Sequence, residues 1–477
     1  MNIPLSILEE LPGIAAAFDE DAMRGHMQAA LFGPGASGFA LERCEPGRPL
    51  YVPGDCCTVQ YELQARSRAN GTLLRCVAGG RVFPDRSSCA AYMTQRLAPL
   101  VARSRGRAEL AMLAAPAAVI APLHVLVHVW PLDGELPALL DATDPRRMAQ
   151  MLQESLGESL PERLVIEDLQ IERASYRRRR RCVLRYTISG RPAGSGEPRR
   201  LVVYGKLTPR GETLDGPTLA RLHDHLAQGD GFRVAVPRSL GWNRELGMAL
   251  LEEVPGEASI GSALGARLEG QTRPDAPSLE AMLSTCARVA ALLHSSRLEL
   301  GPPRTFDDRL TELQAEIAIT RAFAPELAER ARGWVDRLAA RARASEALPA
   351  CLCHGDFKYA QVLFDGERVG MVDLDTLCRS EPALDLGQFI AYLRTRIEKS
   401  AKTDSSARAL ADDLGERFLG EYVRASRVES ERRLRDRTAL HEAASLARMA
   451  LHSRQRFKQK RLEGTTALVE ERMAAWS

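Results

Sequence analysis

The sequence has almost no excess of either charge, and this weakens the case for one class of function. It contains 65 Lys and Arg residues against 62 Asp and Glu, which leaves a formal net charge of +3 over 477 residues. Nucleic-acid-binding domains usually concentrate positive charge to neutralise phosphates. The composition therefore gives no electrostatic argument for a nucleic-acid partner, and none is expected.

Cysteine is present, but it lacks the spacing of a zinc motif. None of the ten cysteines belongs to a CxxC pair, and the nearest neighbours are Cys56 with Cys57 and Cys351 with Cys353. Zinc-ligand patterns and disulfide frameworks both require more regular spacing. The sequence predicts reduced, mostly buried thiols.

Neither a secretion signal nor a membrane anchor is expected from the sequence. The N-terminal run MNIPLSILEELPG has no basic region followed by an apolar one, so a cytoplasmic location is expected. The stretch 110–132 carries no charge and has the length of a membrane span. However, Pro116 and Pro122 interrupt it, and the pattern favours two buried strands around a turn, with no membrane partner.

Lysine is rare enough to be informative. Only six of the 65 basic residues are Lys, at positions 206, 358, 399, 402, 458 and 460. Arg is therefore the default cation of this chain, and a Lys is expected where a compact ammonium is needed in place of a planar guanidinium. This makes Lys206 and Lys358 candidates for a functional site.

The chain contains a weak internal repeat. A length of 477 residues predicts two or three domains. Two stretches align without a gap at an offset of 125, and their shared or related positions are Cys57 with Cys182, Tyr61 with Tyr186, Gly80 with Gly205 and Arg81 with Lys206. Each stretch reads as strand, polar turn, strand. The matching order of elements favours a duplication; two unrelated hairpins are the alternative.

After Pro255 the periodicity becomes helical, with apolar residues at spacings of three and four. Two short apolar runs around GER, within 361–375, predict a tight hairpin among these helices. The predicted organisation is an α+β N-terminal unit at 1–155, a sheet-bearing unit at 156–256 and a mainly helical domain at 257–477.

The segment HGDFKYAQVLFDGERVGMVDLD, which starts at His354, supplies the groups that phosphoryl transfer needs. Asp356 is a candidate base, and Gln361 offers an amide oxygen. Lys358, two residues after Asp356, is a candidate catalytic cation that would reach the transferring phosphate and neutralise its charge. Asp373 ends the second strand of the hairpin and, with Asp375, offers carboxylates to magnesium.

The run from His354 to Phe389 resembles the catalytic core of the aminoglycoside phosphotransferase and choline kinase family, and the resemblance covers about 165–393. It implies a protein-kinase-like fold with an antiparallel-sheet N-lobe and a helical C-lobe. It also implies ATP and Mg²⁺ as cofactors. The N-terminal unit would then resemble a duplicated, degenerate N-lobe.

The resemblance also assigns roles to residues. Asp356 would be the catalytic Asp, and Gln361 would take the place of the usual Asn and hold magnesium together with Asp373. Lys206 would contact the nucleotide phosphates, and the backbone of Glu252, Glu253 and Val254 would hold adenine. Asp385 would brace the catalytic loop. In having Gln where the family usually has Asn, this motif is similar to that of the maltokinase and glucosamine kinase branch.

Two features depart from the family pattern. The turn expected to be rich in glycine holds Arg177 to Arg181, which reads either as a solvated edge or as a set of phosphate-binding guanidinium groups. Lys206 has no clear acidic partner, with Glu212 and Asp224 as the alternatives. We also expect His294 to be a packed helical histidine without a metal.

The sequence thus predicts an ATP-dependent kinase that acts on a hydroxyl of a small molecule, either a sugar, an amino sugar or an aminocyclitol. The alternative is a pseudokinase that uses its N-terminal unit for protein docking. A choline-like substrate would require an aromatic cage, for which Phe389, Tyr392 and Trp476 are the available rings. The sequence makes no prediction of oligomeric state.

Overall fold

The computed structural model describes residues 3–33, 38–47, 49–159, 164–177, 181–192, 197–209, 215–227, 231–271, 277–400 and 405–476. The chain divides into two compact units. The first unit comprises Met1–Thr213, Leu240–Leu251 and Gln455–Phe457, and the second comprises Leu214–Ser239, Glu252–Arg454 and Lys458–Ser477.

Helices and strands alternate in the first half of the chain, and helices dominate the second. The helices are α1 (Leu5–Glu10), α2 (Glu20–Met27), α3 (Arg86–Tyr92), α4 (Ala98–Arg103), α5 (Leu139–Ala142), α6 (Pro145–Ser159), α7 (Gly216–Ala227), α8 (Ile260–Leu268), α9 (Leu279–His294), α10 (Phe306–Arg321), α11 (Pro325–Ala344), α12 (Ala383–Ser400), α13 (Ser405–Ala425), α14 (Glu431–Gln455) and α15 (Gln459–Ala474).

The strands are β1 (Phe39–Pro46), β2 (Leu50–Val52), β3 (Cys56–Ser67), β4 (Leu73–Val82), β5 (Ala117–Ile120), β6 (Val125–Val129), β7 (Leu164–Arg177), β8 (Arg181–Pro192), β9 (Arg199–Leu207), β10 (Val234–Ala235), β11 (Ser239–Asn243), β12 (Met248–Glu252), β13 (Cys351–Cys353), β14 (Val362–Asp365), β15 (Arg368–Met371) and β16 (Cys378–Ser380).

Two sheets of the first unit have the same strand order. The first sheet runs β1-β3-β4-β6-β5, with β2 paired to β3, and its neighbouring strands are antiparallel. The second sheet runs β7-β8-β9-β12-β11. The core beneath the second sheet includes Tyr186, Leu184 and Met248. Each aligned stretch contains the expected pair of strands, β3 with β4 and β8 with β9.

Equivalent hydrogen bonds tie both sheets to the preceding chain at the same offset of 125. The Tyr61 hydroxyl donates to Ala17 O at 2.8 Å, and the Tyr186 hydroxyl donates to Ala142 O at 2.8 Å. A Cβ on Gly80 or Gly205 would lie 2.6 Å from Cε2 of the matching tyrosine, so only glycine leaves room for the ring.

A glutamine clamp is repeated in the same way. Gln28 donates from Nε2 to Phe39 O and accepts at Oε1 from Leu41 N, at 3.2 and 2.6 Å. Gln153 makes the same two bonds to Leu164 O and Ile166 N. Each clamp secures the start of the first strand of its sheet to the preceding helical segment, so the N-terminal α+β unit resembles a duplicated lobe in side-chain detail.

The uncharged stretch 110–132 forms the expected pair of strands, β5 and β6, which are antiparallel neighbours. In the part of the chain that the structure describes, no helix combines the length and apolarity needed to cross a bilayer. Strand β6 is buried along its whole length, whereas β5 at the edge of the sheet is only partly buried.

The second unit is a helical body around a small set of strands. Its core is built from apolar faces of α10, α11, α12, α14 and α15, with Trp334, Leu440 and Val469 among the buried residues. In the β14–β15 hairpin Asp365 pairs with Arg368, so Gly366 and Glu367 form a two-residue turn. Gly366 has φ +58°, as a glycine in the first position of a tight hairpin turn requires.

The α+β fold class predicted from the sequence is confirmed, with antiparallel sheets followed by a helical region. The division into parts at residues 155 and 256 remains a prediction.

Candidate active site

The segment after β13 is held in place by one buried carboxylate. Asp385, in the first turn of α12, accepts from His354 N at 2.6 Å and from Gly355 N at 2.9 Å. Burial disfavours its charged form, but bonds from His294 and His354 outweigh this effect and lower the pKa of Asp385. The expected bracing role of Asp385 stays a prediction, and these contacts support it.

Gly355 allows the sharp change in direction before Asp356. Its φ is +78°, and a Cβ at this position would lie 2.0 Å from Thr376 O. The Thr376 hydroxyl in turn donates to His354 O at 2.9 Å. The His354 ring contacts Val372 O through Nε2 at 3.0 Å, so the loop is attached to the chain that follows β15.

Three donors converge on the Asp356 carboxylate. Lys358 Nζ donates to Oδ2 at 2.6 Å, Gln361 Nε2 donates to Oδ2 at 3.3 Å, and Gln388 Nε2 donates to Oδ1 at 2.5 Å. The side chain remains 27% exposed. The carboxylate is thus fixed in orientation and still reachable from outside, which is what a base for a bound hydroxyl requires.

Lys358 contacts the candidate base directly. Its ammonium also lies over the ring of Tyr392, 5.1 Å from the ring centroid. Tyr392 is one of the three rings named above for an aromatic cage around a choline-like substrate. Its face is therefore already occupied by the Lys358 ammonium.

Gln361 presents an unused oxygen beside this carboxylate. The side chain is 2% exposed, and its amide nitrogen is used by Asp356. Oε1 is buried and has no hydrogen-bond donor among the described residues. Its main chain is bound on both sides, since Gln361 N donates to Lys358 O and Gln361 O accepts from Val372 N. An amide oxygen that no protein group satisfies fits a ligand position for a hard cation such as magnesium.

Asp373 follows β15 in a left-handed conformation with φ +67°. Such a conformation is uncommon outside glycine and is often found at functional sites. Asp373 is half-buried and Asp375 is exposed, and both take part in interactions within the protein. Amide and carboxylate oxygens, as Gln361 and Asp373 offer, are the kinds of ligand that magnesium prefers.

Two further residues belong to the site, although the sequence did not reveal them. Gln388 is fully buried on α12, one turn after Asp385, and its Oε1 accepts from Arg309 Nη2 at 3.5 Å. Arg309 is 1% exposed and also donates to Glu312 at 3.1 Å. Burial, together with repulsion from Arg448 and Arg304, lowers the pKa of Arg309 to about 9.

A signal for Arg309 was present in the pattern of α10. It stands in a stripe with Phe306, Leu310, Leu313 and Ile317, where the helical spacing calls for an apolar residue. An arginine in such a stripe is expected to have a specific buried partner. Gln388 carried no comparable signal, because nothing in the sequence showed that it lies beside Asp356.

The candidate nucleotide residues lie on elements of both units. Lys206 is 6% exposed on β9 of the first unit and takes part in an interaction within the protein. In the second unit, Arg238 Nε donates to Glu252 Oε2 at 2.7 Å, and Val254 packs against Gly370. Glu253 also has an interaction within the protein.

Two of the open questions fall on parts of the chain that the structure does not describe. Arg178 to Arg180 and Glu212 lie outside the described residues, while Arg177 and Arg181 form the last pair of the β7–β8 ladder. The alternative partner for Lys206, Asp224, lies on α7 with its side chain 72% exposed.

The position in the first sheet that matches Lys206 is occupied in a different way. Arg81 is 5% exposed, and its Nη1 donates to Glu135 Oε1 at 3.1 Å. Its guanidinium lies 4.1 Å from the centroid of the Tyr92 ring. The charge of Arg81 is therefore already paired within the protein.

Residues 194–441 match the model of the phosphotransferase enzyme family. One similar solved structure is that of the choline kinase LicA from Streptococcus pneumoniae. It is 13% identical, the match covers 69% of this chain and 99% of that chain, and the TM-score is 0.42. A second is a glucosamine kinase in complex with glucosamine, ADP and inorganic phosphate, at 17% identity over 69% and 86% of the two chains, with a TM-score of 0.46.

A third is the GDP complex of wild-type aminoglycoside 2'-phosphotransferase-IIIa, at 13% identity over 70% of this chain and 100% of that chain, with a TM-score of 0.42. No curated protein matches the chain by sequence. The family match alone spans more than half of the 477 residues and contains Asp356, Gln361 and Asp373. The chain therefore belongs to the phosphotransferase enzyme family.

Proposed function

We propose that the protein is an ATP-dependent kinase that phosphorylates a hydroxyl group of a sugar, an amino sugar or an aminocyclitol. The observation that carries this proposal is the Asp356 carboxylate, which is held by three donors and remains partly exposed. Membership of the phosphotransferase family gives the reaction class, and the site gives the residues that would perform it.

In the proposed reaction, the acceptor oxygen bonds to the γ-phosphorus of ATP while the bond to the bridging oxygen breaks and ADP leaves. The hydroxyl proton passes to Asp356, which needs to lie within hydrogen-bond reach of the acceptor. The donors from Lys358 and Gln388 fix the carboxylate before the acceptor binds, so little reorganisation is required at the moment of transfer.

Gln361 and Asp373 would hold magnesium. The unpaired Oε1 of Gln361 supports this assignment, because a buried amide oxygen otherwise loses its hydrogen bond with water for no return. The ion would neutralise charge on the phosphates of ATP. Lys206, and the backbone of Glu252 to Val254, are the proposed contacts to the phosphates and the adenine.

A sugar-like acceptor is proposed over a choline-like one for a specific reason. Tyr392 is one of the few rings in the later helices, and the Lys358 ammonium lies over it. A quaternary ammonium ligand would need an open aromatic face and would meet this like charge.

The test is ADP release by the purified full-length chain with a panel of sugars, amino sugars and aminocyclitols. Wild type would be compared with Asp356→Asn and with Asp365→Asn, an exposed aspartate at the end of β14. We expect acceptor-dependent turnover in wild type and Asp365→Asn and its loss, by about 10³-fold or more, in Asp356→Asn. Turnover that survives in Asp356→Asn would refute the assignment of the base. Absence of turnover and of magnesium-dependent nucleotide binding in wild type would instead favour the pseudokinase.

A further inference from the structure

Behind the catalytic loop, two thiols and an imidazole come together. Cys351 and Cys353 lie two residues apart on β13, so their side chains project from the same face of the strand. Their sulfur atoms are 3.7 Å apart. His294, the last residue of α9, brings its ring to the same place, and the ligand atoms of all three residues lie within 4.8 Å of one another.

We propose that Cys351, Cys353 and His294 form a binding site for a thiophilic divalent cation, with Zn²⁺ as the ion of choice. Tetrahedral zinc with a Zn–S bond of about 2.3 Å places two sulfur ligands about 3.8 Å apart. The observed sulfur separation of 3.7 Å matches that edge without movement of the strand.

One contact of His294 is of the kind that metal-binding histidines make. Its Nε2 contacts Asp385 Oδ2 at 3.1 Å, and its side chain is 4% exposed. Histidine ligands commonly donate their second N–H to a carboxylate, which fixes the ring and its tautomer. With Nε2 used in this way, Nδ1 would be the ligand atom.

The ion would have to displace one hydrogen bond of His294. The Tyr422 hydroxyl lies 2.9 Å from His294 Nδ1 in this structure. Once this contact is displaced, water would complete the tetrahedral site.

Both thiols would bind the ion as thiolates. Each therefore releases a proton to solvent on binding, so affinity should rise with pH. Cys351 is only partly buried and provides the point of entry.

The site shares Asp385 with the catalytic loop. The same carboxylate that orients His294 accepts the backbone bonds of His354 and Gly355. Binding of zinc to His294 would therefore influence the position of the catalytic loop, because both depend on the Asp385 carboxylate. This last consequence rests on the proposed function, whereas the metal site does not.

The test uses the reduced, chelator-treated full-length chain, titrated with Zn²⁺ in competition with a chromophoric chelator. Wild type would be compared with Cys351→Ser and with Cys76→Ser, which changes another partly buried thiol in the first unit. We expect one equivalent of Zn²⁺ to bind to wild type and Cys76→Ser, and affinity to fall about 100-fold or more in Cys351→Ser.

A titration of wild type with Co²⁺ gives a second measurement that needs no variant. Bound Co²⁺ should show thiolate charge-transfer absorption together with the visible bands of tetrahedral coordination. Equal Zn²⁺ affinity in wild type and Cys351→Ser, or the absence of thiolate absorption with Co²⁺, would overturn the proposal. Neither readout depends on kinase activity, so failure of the metal site and failure of the proposed function are distinguishable.

Discussion

Replacing Gln388 by Met would remove the donor at Oδ1 of Asp356 while nearly conserving side-chain volume. In the native chain Gln388 Nε2 lies 2.5 Å from this oxygen, and its Oε1 faces Arg309 at 3.5 Å. The guanidinium accepts nothing, so it requires the carbonyl end of the amide to face it and directs the NH₂ end toward Asp356. Gln388 is thus a positioning residue for the candidate base.

A hydrogen bond to a charged group contributes about 1.5–3 kcal/mol. If the contact holds Asp356 in its productive orientation, that range corresponds to a fall in kcat of roughly 10- to 100-fold, at about 1.4 kcal/mol for each factor of ten. KM for the acceptor should change by less than about threefold, since the Met side chain preserves the packing of α12.

The assay is steady-state turnover with the best acceptor, together with urea unfolding to verify that the fold is retained. Gln95→Met, at an exposed position of the first unit, is the matched control and should behave as wild type. Gln388→Asn keeps the amide on a shorter side chain and should recover part of the loss. A kcat for Gln388→Met within twofold of wild type would show that the donor is dispensable and would refute the reasoning.

Three further predictions concern stability. Burial would raise the pKa of Glu381, but its bonds to His441 and Arg437 lower the pKa from 4.5 to about 2. The lowered pKa should contribute about 3 kcal/mol to the free energy of unfolding above pH 4.5, and this contribution should vanish as the pH falls toward 2. Urea unfolding of Glu381→Gln should show a smaller loss over that range, and an unchanged pH dependence would contradict the assignment. Gly355→Ala should unfold far more easily than Gly366→Ala. A Cβ at Gly355 would clash with Thr376 O, whereas one at Gly366 meets only open space and costs about 1 kcal/mol for its positive φ. Arg81→Met removes one partner of a largely buried ion pair and should cost about 3 kcal/mol of unfolding free energy. Turnover should stay within twofold, and a loss of turnover in folded protein would show that the first sheet takes part in catalysis.

The local parts of the site could be predicted because they depend on short-range chemistry. The β14–β15 hairpin follows from two apolar runs around a glycine, and Gly366 has the positive φ that this turn requires. The strands of the two sheets follow from alternation and from the matched tyrosine and glycine positions. The grouping of Asp356, Lys358 and Gln361 follows from their separation by only a few residues.

The contacts made across long stretches of chain could not be predicted. Gln388 meets Asp356 only because α12 begins beside the loop after β13, and this arrangement has no signature in the residues between them. His294 was expected to be a packed helical histidine because no second ligand lies near it in sequence. It is buried as expected, and the structure also brings Cys351 and Cys353 to it from a distant part of the chain. Spacing rules recognise metal ligands that lie on one turn or one hairpin. They do not detect a group in which one strand provides two side chains and the end of a distant helix provides the third.

The repeated glutamine clamps bear on how the first unit reaches its native state. Tandem segments that form the same strand order can exchange equivalent strands during folding, and such misassembly is characteristic of repeat-containing chains. The clamps use the same backbone positions in both copies, so they do not by themselves select the correct partner. Selection must come from the side chains that differ, such as Arg81 with Glu135 in one copy and Lys206 in the other. We therefore expect divergence between the copies to disfavour such exchange, because it gives each strand a preferred neighbour.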